Sequence, residues 1–138
     1  MADLVITPSD VLVTPGFETS VRTGNAGEPI NAGQSVFLDS ADNLIKKSDK
    51  TAESTGRIIG VAVNTASVAG QPISYVQENA RVTVGSVVSV GETYVISTAG
   101  GISPVLDLAS TEYLGYVGYG FSATEILVMA VTTGVPKA

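Results

Sequence analysis

The chain contains no cysteine, no histidine and no tryptophan among its 138 residues. Without cysteine it can form neither a disulfide nor a thiolate metal site. Without histidine it lacks the commonest general base and the commonest metal ligand, and every nucleophile arrangement that needs an imidazole. Charge is scarce too: 14% of residues are charged, thirteen acidic against seven basic, for a formal net charge of −6. A phosphate-tracking protein needs a positive footprint, so nucleic acid is not an expected partner. Lys46, Lys47 and Lys50 cluster, but Asp42, Asp49 and Glu53 interleave with them and the patch reads as a solvated loop. No apolar run approaches the ~18 residues of a membrane span. Neither the basic nor the apolar region of a signal peptide is visible at the N-terminus. The expectation is a protein made in a cytoplasm, without a membrane partner.

What remains is apolar and β-branched. Apolar residues make up 44% of the chain, with 15 glycines and 6 prolines, which suits a folded chain of single-domain size. Short runs rich in Val, Ile and Thr are broken by Gly, Pro, Asn and Asp about every 8–12 residues, the pattern of an all-β sandwich or barrel. The pattern predicts strands over 3–7, 10–14, 18–23, 35–39, 57–63, 72–77, 80–84, 93–97, 113–119 and 125–132. Residues 106–114 suit one or two helical turns, and 46–55 suit a loop.

The chain also repeats itself. AGQSVFLDSADNLI matches VGETYVISTAGGIS with Gly91 on Gly33, and RIIGVAV…ISYV matches EYLGYVG…VMAV with Val131 on Val76. Two similar β-units, about 33–76 and about 91–131, are therefore expected to wrap a common core within one domain spanning 21–138. Two such halves are a simple route to a closed barrel with few exposed edges. Gly60 and Gly115, each following an apolar pair, read as strand bulges or close approaches at barrel corners.

Residues 1–20 differ in character. DLVITP (3–8) returns as DVLVTP (10–15), two short apolar strands each stopped by a proline that has no N–H to give to a ladder. The segment suits either an edge strand of its own domain or an arm lending a strand to a neighbour. As an arm, its anchors would be Leu4, Ile6, Val11, Val13 and Phe17.

Chemistry-bearing motifs do not emerge. GYVGYG (115–120) has the wrong glycine spacing for a dinucleotide loop and no helix after it. Its aromatics Tyr116 and Tyr119 and the neighbouring Tyr113 and Phe121 suit a core or a subunit contact, since a tyrosine can bury its ring and keep its hydroxyl wet. Asp39, Asp42 and Asp49 lack the alternating order of a calcium loop and read as turn residues. No G-x-S-x-G elbow occurs. The expectation is a protein that is not an enzyme and has no catalytic, cofactor or metal residues. A glycan-binding role would draw on Tyr75, Tyr94 and the 113–121 cluster.

Three stretches together, VRTGNAGEPINAGQSVFLDS (21–40), RIIGVAVNTASVAGQPISYV (57–76) and VGETYVISTAGGISPVLDLASTEYLGYVGYGFSATEILVMAV (90–131), resemble the small capsid decoration proteins of tailed bacteriophages and prophages, of the cement or head-fibre type. The resemblance implies a compact β-barrel or β-tulip, often trimeric, seated on the outer capsid surface against the major capsid protein, with an N-terminal arm in that contact and no catalytic or cofactor residues. The alternative function is a binding module at the base of a head fibre, tail fibre or spike that recognises a host-surface glycan or protein.

Overall fold

A computed structural model describes residues 3–137 of the chain. Residues 1 and 2 of the expected arm, and residue 138 at the end of the expected domain, lie outside the described residues. The fold is all-β: eleven strands, three single-turn 3-10 segments and no α-helix among the described residues. The strands are β1 (Leu12–Val13), β2 (Val21–Asn25), β3 (Ser35–Asp39), β4 (Leu44–Lys47), β5 (Gly60–Ala62), β6 (Pro72–Val76), β7 (Ala80–Thr83), β8 (Thr93–Ile96), β9 (Ile102–Pro104), β10 (Tyr113–Gly120) and β11 (Glu125–Pro136).

These strands form two sheets, ordered β1-β7-β11-β10-β8-β9 and β2-β6-β5-β3-β4, with antiparallel pairing throughout. Apart from β1, the two orders are the same. Within β2–β6 and within β7–β11, the first strand pairs the last, the last pairs the fourth, the fourth the second, and the second the third. The repetition thus extends one strand further upstream than the matched sequence, to β2 in the first unit and β7 in the second.

The ladders also correct the sequence match. Val36 faces Gly60 and Ser35 faces Val61, while Tyr94 faces Gly118 and Thr93 faces Tyr119. Gly60 therefore corresponds to Gly118, not to Gly115, at the same 58-residue spacing that relates Gly33 to Gly91. Through the next ladder, Val61↔Val76 corresponds to Tyr119↔Leu127, so Val76 matches Leu127 rather than Val131. The connection between the last two strands is seven residues shorter in the second unit, which is why matching by residue type slipped out of register.

The reason for glycine at these two places is a close approach. A Cβ on Gly60 would lie 2.2 Å from the Val76 carbonyl oxygen, and one on Gly118 would lie 1.9 Å from the Leu127 carbonyl oxygen. The backbone of the last strand crosses the fourth at the same point in both units, leaving no room for a side chain. Gly115 meets only the Ile96 side chain, at 3.0 Å.

The core has two parts. The smaller gathers Ala26, Ile30, Val36, Ile45, Ala62, Ala66 and Ile73 from the first unit alone. There a parallel bridge from Ala26 to Ile45 links the edges β2 and β4. The larger part joins Tyr94, Ile96, Val117, Ile126 and Val128 of the second unit to Val61 and Val76 on the opposite face of β5–β6. The short strand β5 is thus buried on both faces.

Other expectations shift at the boundaries. Residues 3–7 form no named strand, and 10–14 shortens to β1. Residues 18–20 make a 3-10 turn before β2, 57–63 contracts to β5, and Val105–Asp107 makes a single 3-10 turn where helical turns were expected. Two strands went unforeseen. In β4, LIKK, Ile45 is the one fully buried residue, and β9, ISP, is three residues long. Each is too short to show a period by itself, and each is held by its neighbouring strand.

Candidate contact surface

The N-terminal segment lies on its own domain. Val11 is buried in the larger core, and Leu4, Ile6, Val13 and Phe17 pack against it half-buried. The segment touches both outer strands of the second unit, β7 and β9. The Leu4 amide donates to the Ile102 carbonyl on β9 at 2.8 Å, and β1 pairs with β7 through Leu12↔Thr83 and Val13↔Val82. Ser97 Oγ donates to Asp3 Oδ1 at 2.8 Å. In the first unit the strands corresponding to β7 and β9 meet through the Ala26–Ile45 bridge; in the second, the N-terminal segment contacts both.

A cluster of side chains latches this segment down. The Arg81 guanidinium lies between two rings, 5.0 Å from the Phe17 centroid and 4.4 Å from the Phe121 centroid. It also lies 3.7 Å from the Glu125 carboxylate, which accepts a hydrogen bond from Thr14 Oγ1 at 2.9 Å. Each cation–ring contact is worth about 0.5–1 kcal/mol where water reaches the pair. Phe17 and Phe121 are 104 positions apart in the sequence, so no sequence signal pointed to this cluster.

The predicted aromatics differ in exposure. Tyr113 and Tyr116 are half-buried, while Tyr119 and Phe121 are exposed. Tyr94 is a core residue whose hydroxyl accepts from the Ser89 amide at 2.9 Å, so it offers no ring to a sugar. Tyr75 packs on the smaller core, and burial holds its hydroxyl above its ordinary pKa.

Ladder positions opposite one another share a face of the sheet, so Arg81, Leu127, Tyr119 and Thr93 form one row across β7, β11, β10 and β8. The adjacent pair Tyr116↔Val131 continues this face, and Met129, in the bulge opposite Val117, is exposed beside it. In the first unit the corresponding row is Val21, Val76, Val61 and Ser35. There Val61 and Val76 are 0% exposed, covered by the second unit; here Tyr119 is 37% exposed and Leu127 only half-buried. The outer face of β10–β11 is thus an apolar surface whose internal counterpart is covered. Sequence reasoning identified Tyr119 but missed Leu127, Met129 and Val131, because EILVMAV is apolar at every position after Glu125 and carries no alternation to mark an outward face.

Ionisable groups gather elsewhere, mostly in turns. Lys46 Nζ lies 2.8 Å from Asp39 and 3.0 Å from Asp42. The Lys46 hydrogen bond, then that from the Ala41 amide, holds Asp39 below the ordinary carboxylate range. Burial pushes Asp49 upward, but the Thr51 hydroxyl and amide and the Ala99 amide outweigh it and leave the group lowered. All these contacts tie down loops, as turn carboxylates commonly do. Between the two units lies a cleft of about 360 Å³ lined by Phe37, Leu38, Ile58 and Ile59, with Glu53 and Arg57 as its two charged side chains. Among the described residues, no group of three or more acidic side chains is placed to hold a metal ion, and no helix is long and apolar enough to cross a membrane. No family model matches the chain, and no curated protein matches it.

Proposed function

We propose that this chain is a structural virion protein that decorates a bacteriophage capsid, bridging neighbouring copies of the major capsid protein on its outer surface as a homotrimer. The observation that carries this reading is the uncovered apolar face of β10–β11, a surface for contact between subunits or with the shell, in a chain whose corresponding face is buried. A contiguous apolar surface of this kind marks a place of contact. The resemblance of residues 21–40, 57–76 and 90–131 to capsid decoration proteins supplies the partner.

Two features support the finer fold reading, a compact β-barrel or β-tulip built from the two units. One is the Ala26–Ile45 bridge between β2 and β4. The other is the N-terminal segment reaching from β7 to β9. The mechanism is additive: a subunit that binds the assembled lattice and not the dispersed capsid protein stabilises the lattice by mass action at each site.

The test is co-sedimentation of the purified protein with expanded, undecorated capsids. Saturable binding at a fixed ratio to the capsid protein is the expected result. The exposed rings of Tyr119 and Phe121 favour a second reading, a fibre or spike base that binds a host-surface glycan or protein. Pelleting with host cells or a glycan resin, and not with capsids, would replace the first reading with this one.

A further inference from the structure

We infer that the outer face of β10–β11 is the surface through which copies of this chain bind one another, so that the occupant of the uncovered row is a second copy and not the capsid. This deepens the proposed function and rests on its contact reading, but it does not depend on the capsid.

Two observations select a second copy. The first is electrostatic. The molecule carries thirteen acidic and seven basic side chains, so two copies meeting through an average surface bring like charge together, which costs association free energy. Residues 113–136 contain a single charged side chain, Glu125, and it is already engaged by Arg81 and Thr14. The face built from this stretch lets two copies approach without bringing like charges into contact.

The second observation is internal. The row Val76–Val61 of the first unit corresponds to the row Leu127–Tyr119 of the second, and within one molecule the first row is closed off by an apolar sheet of the same chain. Leu127, Tyr119, Met129 and Val131 present the same kind of surface with no cover. The Arg81–Glu125 pair stands on one flank and Thr93 on the other, giving an apolar centre with a polar rim, the usual anatomy of a protein–protein interface.

The experiment measures mass in solution by light scattering after size exclusion, across micromolar to near-millimolar protein. The wild-type chain should run as an integral multiple of 14.0 kDa. Met129→Lys and Val131→Asp, at positions 43% and 42% exposed, should each reduce it to the single-chain mass while melting as cooperatively as wild type. Because the two substitutions change net charge in opposite directions, a shared effect cannot come from net charge. Leu106→Asp, on an exposed 3-10 turn outside β10 and β11, should keep the wild-type mass. A wild-type chain that stays at 14.0 kDa throughout, or variants that keep the multiple, would overturn the inference. Capsid co-sedimentation of wild type then separates the two ideas: a monomer that still binds capsids sinks this inference and the homotrimer, and leaves the capsid-decoration reading standing.

Discussion

Replacing Gly60 or Gly118 by alanine tests the correspondence between the two units at its most demanding point. Neither substitution adds more than one methyl group, yet at both positions the nearest atom is a backbone carbonyl oxygen of the neighbouring strand, 2.2 Å and 1.9 Å from the new Cβ. A carbon and a carbonyl oxygen normally stay more than about 3 Å apart, so β6 or β11 would have to move by roughly an ångström against a close-packed core. Overpacking of this sort costs about 1–3 kcal/mol, and rigid backbone as the obstacle places both substitutions at about 3 kcal/mol. For a chain of this length each kcal/mol lowers Tm by about 3–5 °C, so a loss of about 9–15 °C is expected. Gly70→Ala is the control. Its φ of +93° strains any side chain, but nothing lies within 4 Å of its Cβ, so only the left-handed backbone penalty of about 1–2 kcal/mol applies. Urea denaturation followed by circular dichroism, with unchanged slopes, gives the three values on one scale. If Gly60→Ala and Gly118→Ala cost no more than Gly70→Ala, the strands do not cross as described and the match of Gly60 to Gly118 fails.

Two other outcomes follow from the same packing. Removing residues 3–16 takes away Val11 and the half-buried Leu4, Ile6 and Val13, and leaves β7 and β9 uncovered; the truncated chain should lose cooperative melting or become protease-sensitive, and a truncation as stable as wild type would show that the segment is dispensable to the fold. Asp39, Asp49 and Glu112 all titrate below their ordinary range in the folded chain. For Glu112, burial acts upward and is outweighed by the Ala109 amide and by Lys50. A lowered folded pKa contributes stability that is full above the unfolded value and is lost as pH falls through the folded one. With no histidine in the chain, the urea midpoint should be flat from about pH 6 to 8 and fall below about pH 4; a marked change between pH 6 and 8 would contradict this.

Much of the architecture was legible because it is local. A run such as SVFLD or TYVI is a short apolar stretch of β-branched and aromatic residues bounded by turn residues, so it declares a strand without help from the rest of the chain. The repeat was legible because β3 and β8 keep both their residue types and their 58-residue spacing. It failed at the last hairpin because glycine and valine are common enough to align equally well three or four residues away. Only the ladder shows which glycine faces the crossing carbonyl. The short strands β4 and β9 were not legible, since three or four residues carry too little pattern. The arm alternatives for residues 1–20 also stayed open, because an apolar strand ending in proline reads the same whether it covers its own sheet or another's.

By itself, the amino-acid sequence determined the all-β class, the repetition and the lack of imidazole and thiolate chemistry, because each depends on residue type and on neighbours a few positions away. Tertiary structure alone decided that Val61 and Val76 are covered while Tyr119 and Leu127 are not, and that Phe17 and Phe121 meet around Arg81. Corresponding positions in two similar units carry the same local instructions. Which of them reaches water depends on the order in which the sheets stack, and that order is a property of the whole chain.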